Sequence, residues 1–384
     1  MKKTIPIIIL IALILSVGCQ ENNQISDYAD CIEYIDSLEI NLENNKLSVA
    51  LIDLAQENDI CFYSILYDNC LIVVNKKKSF YVFQINCLKR DTMYEKKLNT
   101  RKFEKAFVAF DELHGIDHNN QVFRFDSKTN EWIGLSYNLP FSNSIPIFEN
   151  EKYLCYSYHL DYKRGGILFF YNKKTKRITF VPATYAVSVI ETQFDEFYIV
   201  CCFEDVSAHS KIIKINNPDS LYELPDSMYV NNNLLEEFEW VSVWIIKSDE
   251  HPDCLSDDKW EGNFFYNSKL YHDSTLFNHH FFHIYETSQQ SFSSGFRIKE
   301  ELYYLTEIFV ESESKLQIFL TKFAEDSLIF INTADEIFSH LPISCGEITR
   351  KINNKTIADY IIRDNLLATF LITDSTLVKI NWKK

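Results

Sequence analysis

The chain has 384 residues, enough for a large hydrophobic core, and 46% of them are apolar, a content that excludes a largely disordered protein. Its formal net charge of −16 disfavours binding to a nucleic-acid backbone, so no nucleic-acid partner is expected, and it disfavours attraction to anionic lipid. Aromatic residues make up 15% of the chain, so many large side chains are available to fill the core.

The first element is a signal peptide, predicted over residues 1–18. Two lysines precede an apolar run from Ile5 to Val17, which is too short to cross a bilayer as a helix. The run ends in Leu15-Ser16-Val17-Gly18-Cys19, which resembles the lipobox of bacterial lipoproteins, with Ser16 where that family prefers Leu. The resemblance implies cleavage before Cys19 and acylation of its thiol, which makes membrane lipid a partner.

The residues after Cys19 indicate where such a lipoprotein would reside. Gln20 follows the cysteine, whereas the resemblance implies that Asp at this position would retain the protein at the inner membrane. A polar stretch, Gln20–Gln24, is suited to be a tether. We therefore expect a lipid-anchored protein of the cell envelope, located at the outer membrane, with the periplasmic and surface faces both open.

Residues 19–58 are predicted to contain this tether and a short N-terminal segment of helical or mixed structure. Cys31, Ile32, Ile35 and Leu38 recur at a helix-like spacing in an acidic context.

From residue 59 to residue 384 the pattern predicts an all-β domain. Runs of β-branched and aromatic residues alternate with short turns rich in Asn, Asp, Ser and Lys, which is typical of hairpins. The six predicted hairpins cover residues 71–85, 122–133, 167–181, 197–215, 302–321 and 366–382.

The first three hairpins recur at roughly the 40–50-residue period of a four-stranded propeller blade. The segment Gly115–Trp132 resembles one blade of the kelch-like and sensor-type bacterial β-propellers, and Tyr171–Ile178 repeats its second half. The resemblance implies a β-propeller of about six or seven four-stranded blades, although the chain has only 8 Gly where kelch repeats are glycine-rich. A large β-sandwich and a β-solenoid are the alternatives.

Residues 248–295 interrupt the hairpin pattern and are predicted to be an insertion. Long loops on a rigid scaffold often carry function. On a helix, His279 and His283 would share one face, and His272 is the third candidate for a binding group. The segment lacks an H-E-x-x-H motif, so these histidines are candidate binding residues and no metal site is predicted.

Trp260 is the favoured exposed aromatic residue of the predicted insertion. An exposed indole can stack on the apolar face of a sugar ring or carry a protein contact. Trp132 and Trp244 lie among strand-like residues and are predicted to pack in the core instead.

The cysteines do not form a recognisable metal or redox motif. Nine of them follow Cys19, none in a C-x-x-C pair, and an odd number leaves at least one outside any intramolecular disulfide. Several stand in apolar runs and are predicted to be small buried hydrophobes. Cys201 and Cys202 point to opposite faces of one strand, so we expect no bond between them.

No pattern in the sequence names a reaction, a catalytic residue or a cofactor. There is no G-x-G-x-x-G motif, no Walker loop and no G-x-S-x-G elbow. The favoured function is therefore a binding or interaction module for a protein or a glycan at the envelope. A carbohydrate-active hydrolase or lyase and an accessory subunit of a surface complex are the alternatives.

Overall fold

The fold is known from a computed structural model. The residues that it describes are 32–42, 45–55, 61–85, 88–135, 146–159, 166–183, 186–204, 208–223, 238–239, 262–266, 269–273, 281–287, 290–299, 301–310, 315–324, 327–331, 348–352, 355–362, 365–372 and 376–383.

Short strands follow one another closely, because apolar and aromatic runs are separated by polar turns of a few residues. In chain order the elements are β1 (Ile32–Leu42), β2 (Asn45–Ala55), β3 (Cys61–Tyr67), β4 (Cys70–Asn75), β5 (Phe80–Gln84), β6 (Lys89–Arg90), α1 (Thr92–Leu98), β7 (Lys105–Ala109), β8 (Glu112–Ile116), β9 (Val122–Asp126), β10 (Glu131–Gly134), β11 (Pro146–Glu149), β12 (Tyr153–His159), β13 (Gly166–Asn172), β14 (Ile178–Pro182), β15 (Ala186–Glu191), β16 (Phe197–Glu204), β17 (Ala208–Ile215), a 3₁₀ turn (Pro218–Ser220), β18 (Tyr222–Glu223), β19 (Phe238–Glu239), β20 (Gly262–Tyr266), β21 (Lys269–Asp273), β22 (Phe281–Thr287), β23 (Gln290–Ile298), β24 (Glu301–Val310), β25 (Lys315–Ala324), β26 (Ser327–Ile331), β27 (Ile348–Ile352), β28 (Lys355–Ile362), β29 (Asn365–Ile372) and β30 (Thr376–Lys383).

The fold class is all-β, a propeller of six blades built on four-stranded sheets, as the sequence predicted. The propeller is therefore correct, and the β-sandwich and β-solenoid alternatives are wrong. All six predicted hairpins are present as antiparallel pairs, namely β4–β5, β9–β10, β13–β14, β16–β17, β24–β25 and β29–β30.

The described residues fall into two compact units. Unit 1 lies within Met1–Leu135 and Ile357–Lys384 and contains the blades β3–β6 and β7–β10. Its third blade draws on both ends of the described chain, since β2 pairs in parallel with β30 and antiparallel with β1. Leu54 lies opposite Ile32 on one side and Trp382 on the other, so the start of β1 and the end of β30 share one end of the sheet.

The helical interpretation of the N-terminal segment is wrong where the structure describes it, because residues 32–42 and 45–55 are strands. Pairing with a strand that is distant in sequence determines the structure of this segment, in place of its local residue spacing. Residues 48–55 of β2 pair in parallel with residues 376–383 of β30, and this tertiary context overrides a local helix-like spacing.

Unit 2 lies within Ser136–Thr356 and contains three blades, β11–β14, β15–β17 with β22, and β23–β26. Strand β22 pairs with β17, although residues 216–280 lie between them in the sequence. The strands β19–β21 within that stretch form a separate three-stranded sheet. The segment predicted as an insertion, 248–295, therefore extends too far, since β22 and the start of β23 belong to blades.

Apolar side chains of successive strands fill the core of each unit. In unit 2, one buried cluster joins β11–β17 and includes Phe170, Phe197 and Ile213. Cys61, Cys70, Cys155 and Cys201 are buried, as predicted for cysteines in apolar runs, whereas Cys202 is partly exposed. Of the helices in the described ranges, none has the length and hydropathy needed to span a membrane.

Candidate functional site

A pocket of about 330 Å³ lies within unit 2, where several strand ends meet. Three chain segments line it: the turn between β11 and β12, the turn between β15 and β16, and the residues that follow β17. Its volume is within the usual range for sites that hold small ligands.

Asn150 fixes the shape of the first lining segment. Its side-chain oxygen accepts hydrogen bonds from the backbone N–H groups of Lys152 and Tyr153, at 2.9 and 2.6 Å, as is typical of an Asx turn. Its side-chain nitrogen donates to Glu191 Oε1 at 2.7 Å, which joins this turn to the end of β15. The amide and the carboxylate are thus held in place before any ligand arrives.

The second segment is the turn Thr192–Glu196, which presents an exposed aromatic ring. The turn is closed by Thr192 N–H donating to the Glu196 carbonyl at 2.9 Å, and Phe194 N–H donates to Thr192 Oγ1 at 3.2 Å. Asp195 has a positive φ of 59°, a conformation that Asp tolerates better than most residues. Phe194 is 74% exposed and immediately precedes the pocket-lining Asp195 in sequence.

The third segment begins with two exposed amides, Asn216 and Asn217. Asn217 caps the 3₁₀ turn, where its side-chain oxygen accepts from Asp219 N–H at 3.0 Å. Asn172, at the end of β13, donates to Asp219 Oδ1 at 2.9 Å and so fixes the carboxylate from the other side.

Lys152, the lysine of the pocket lining, is neutralised by Asp219, with 2.8 Å between Nζ and Oδ2. The hydrogen bond to Asp219 raises the pKa of Lys152. Partial burial alone would raise the pKa of Asp219, but the hydrogen bonds from Lys152 and Asn172 lower it. Both groups are therefore charged at neutral pH, and their charges cancel.

The inner wall of the pocket is aromatic and closely packed. Tyr153 and Phe197 are buried and lie edge to face, with 5.6 Å between ring centroids. Phe197 makes similar contacts with Phe148 and Phe170, so its ring is fixed by the core. Burial raises the pKa of the Tyr153 hydroxyl to about 12, which leaves this group protonated as a hydrogen-bond donor.

Cys155 lies in the same buried cluster, but its environment opposes nucleophilic chemistry. Burial raises the pKa of the Cys155 thiol well above its ordinary value, and the carboxylates of Glu191 and Glu149 raise it further. A buried, protonated thiol is a weak nucleophile. The arrangement of fixed amides, carboxylates and an exposed ring is suited to binding a ligand, not to covalent catalysis by this cysteine.

The structure places two of the predicted binding residues in different sheets of unit 2. His272 is in β21, opposite Asn263, and His283 is in β22, opposite Ile213. The helical face proposed for His279 and His283 is therefore wrong at His283, which is in a strand. Cys19, Trp260 and His279 lie outside the described residues.

The pocket residues were missed because Asn, Asp and Glu at strand ends look like ordinary turn residues. Phe194 was the one sequence feature that could have indicated this site, because an aromatic residue within the polar turn Thr192–Glu196 is expected to be exposed and not part of the core. Among the residues that the structure describes, no group of three His, Cys, Asp or Glu side chains is placed to hold a metal ion.

No protein-family model matches the chain, and no curated protein matches it. Solved structures that are similar to it include the β-propeller domain of the Trilobed protease from Pyrococcus furiosus (8% identical, covering 82% of this chain and 92% of that chain, TM-score 0.31). BamB from Moraxella catarrhalis is 10% identical, with 88% and 81% covered and a TM-score of 0.32. U3-55K is 7% identical, with 83% and 96% covered and a TM-score of 0.36. None of these likenesses bears on ligand or activity.

Proposed function

We propose that the protein is a binding module of the cell envelope, held to the membrane by acylated Cys19, which uses the pocket of unit 2 to contact a ligand. The observation that carries this proposal is the exposed Phe194, in the same turn as the pocket-lining Asp195, together with a pocket in which the Asn150 amide and the Glu191 carboxylate are already held. Covering the 74% exposed Phe194 ring with a ligand would remove apolar surface from water, which is favourable.

The fixed geometry supports binding. Immobilising side chains on binding costs conformational entropy and lowers affinity, and this cost is small for side chains that are already held by hydrogen bonds. Asn150 is restrained by three hydrogen bonds, and the turn that carries Phe194 is closed by its own backbone. For the hydrolase or lyase and accessory-subunit alternatives, no separate observation among the described residues adds support.

The test is capture from a detergent extract of the envelope of the source cell, using immobilised residues 20–384. The wild type is compared with Phe194→Ala and with the matched control Met93→Ala, which removes another exposed side chain, 72% exposed and in unit 1. Bound protein and bound glycan are both quantified by mass spectrometry. We expect Phe194→Ala to retain at least about fivefold less of one ligand, and Met93→Ala to behave as the wild type.

Equal capture by all three proteins, or no specific capture at all, would contradict the binding function of this pocket. The anchor is tested separately by metabolic labelling with a clickable fatty acid. Label should enter the wild type, and Cys19→Ser should abolish it; label that persists in Cys19→Ser would refute acylation at that residue.

A further inference from the structure

We propose that the ligand of this pocket is an uncharged, hydroxyl-rich glycan, an inference that rests on the binding function proposed above. The first argument is electrostatic. Lys152 is already paired with Asp219, while the lining also includes the acidic residues Glu191 and Asp195. A phosphate, sulfate or carboxylate group would therefore meet negative charge without an uncommitted cation in the described lining, and would be repelled.

The second argument is the mixture of donors and acceptors. A sugar hydroxyl both donates and accepts, and it is best matched by side chains that offer both capacities near one another. The exposed Asn216 amide offers an acceptor and donors, and Asn217, whose oxygen already accepts from Asp219 N–H, offers its amide N–H donors. The carboxylates of Glu191 and Asp195 are acceptors. Since Asn150 holds Glu191 at 2.7 Å, the orientation of one acceptor is set in advance.

The third argument is the position of the aromatic ring. The C–H face of a pyranose is apolar and packs on an aromatic face, whereas its hydroxyls point outward to polar groups. Phe194 and Asp195 are consecutive residues of one closed turn, so a turn that lines the pocket carries both an apolar and a polar group. A volume of about 330 Å³ has room for roughly one or two sugar rings, with the rest of a longer glycan outside.

The alternative is a ligand with a basic group, because the carboxylates of Glu191 and Asp195 would also attract an amine or a guanidinium. Glycan is favoured because the exposed Asn216 and Asn217 amides offer N–H donors, which a cation that only donates cannot use. The position of Phe194 alone does not separate the two, since a cation also packs on a ring face.

The experiment probes purified residues 20–384 on an array of neutral, sulfated and carboxylated oligosaccharides and, in parallel, on a library of short peptides rich in Lys and Arg. The strongest binder is then titrated by calorimetry against the wild type, Phe194→Ala, Glu191→Gln and the control Met93→Ala. We expect neutral oligosaccharides to bind, with Kd raised at least about tenfold in Phe194→Ala and several-fold in Glu191→Gln, and unchanged in Met93→Ala.

Binding confined to anionic glycans or to basic peptides would overturn the proposed ligand class. So would neutral-glycan binding that is equal in all four proteins. If both arrays are blank while envelope capture still depends on Phe194, the glycan inference fails and the binding function stands. If capture is also independent of Phe194, the binding function fails as well.

Discussion

Asp359 accepts hydrogen bonds from both the backbone N–H and the hydroxyl of Ser64, at 2.6 and 2.5 Å, across 295 positions of sequence. Thr369 donates to the same carboxylate at 2.9 Å, and Trp382 Nε1 donates to Thr369 Oγ1 at 2.9 Å. All four side chains are buried within unit 1. This polar network joins β3 to the C-terminal strands, and every hydrogen bond in it is made without access to water.

Replacing Asp359 should destabilise unit 1. Asp359→Ala leaves the Ser64 N–H and hydroxyl buried without their acceptor, and we expect a loss of about 2–4 kcal/mol in the free energy of unfolding. Asp359→Asn should also be destabilising, because an amide N–H would face one of the donors. Urea unfolding measures both, and the exposed Asp111→Asn is the control. A loss below about 0.5 kcal/mol in Asp359→Ala would contradict the network.

Stability should fall in acid because of His114. The pKa of this imidazole is lowered to about 4, mainly by burial and further by the charge of Arg124, against an opposing backbone hydrogen bond with Glu112. The unfolded state, with a pKa near 6.5, therefore binds more protons between about pH 6.5 and 4. We expect up to about 3 kcal/mol to be lost as pH falls through this window.

The test is urea unfolding at pH 7, 5.5 and 4.5. His114→Phe removes the titrating group and can still pack on Phe107, which stacks on the histidine at 5.6 Å. This variant should lose less stability than the wild type on acidification, while the exposed His118→Gln should lose as much. An identical acid loss in wild type and His114→Phe would show that other groups are responsible.

Stability should rise in mild alkali because of Lys379. Burial lowers the pKa of this ammonium to about 8, and the charge of Asp53 only partly offsets the effect. Between about pH 8 and 10 the unfolded chain keeps the proton that the folded chain loses, so the folded state gains stability as pH rises. Lys379→Met should abolish the rise seen in urea unfolding, whereas the exposed Lys96→Met should retain it. A rise that persists in Lys379→Met refutes the assignment.

Gly295 should not tolerate a larger side chain. A Cβ atom there would lie 2.7 Å from both Ile190 Cδ1 and Val200 Cγ2, within a closely packed part of unit 2. We expect Gly295→Ala to cost about 1–3 kcal/mol in unfolding free energy. Gly134→Ala is the matched control, since its nearest neighbour is the end of the Gln121 side chain at 3.2 Å. Equal stability of the two variants would contradict the close approach.

Phe194→Ala should leave stability within about 0.5 kcal/mol of the wild type, because the ring is 74% exposed. Thermal unfolding and far-UV circular dichroism of the variant check this expectation. A substantial decrease in Tm would mean that the ring packs against the fold, and loss of binding in this variant would then not report on a contact with ligand.

The β-strands could be read from the sequence because each hairpin is local. A run such as Leu71–Val74 and its partner Phe80–Phe83 carry β-branched and aromatic residues, and the turn between them is short. The N-terminal strands could not be read in this way. Asp53 accepts from Asn381 Nδ2 at 2.8 Å across 328 positions, and nothing in residues 32–55 alone indicates that partner.

The pocket escaped sequence reading for a related reason. Asn150, Glu191 and Asn217 meet only after β11, β15 and β17 have been assembled, and each has a structural role in its own turn or in the link to its neighbour. The sequence therefore directed attention to the histidines and to Trp260, whose clustering along the chain was conspicuous. A short turn with an exposed Phe194 was a weaker sequence signal than a run of histidines.

Because β2 pairs with both β1 and β30, strands from the beginning and the end of the described chain are neighbours in one sheet, and a circularly permuted chain could retain the same strand pairing. Ile32 and Trp382 flank Leu54 in one row of the sheet, so they are two strand spacings apart, about 10 Å. A linker of a few residues in place of the segments outside β1 and β30 would join Ile32 to Trp382, and the chain could then be opened at the exposed turn between β9 and β10. Such a circular permutant would lose only the covalent turn between β9 and β10, and the strand pairs would be retained. An anchor at its new terminus would then be attached to another part of unit 1.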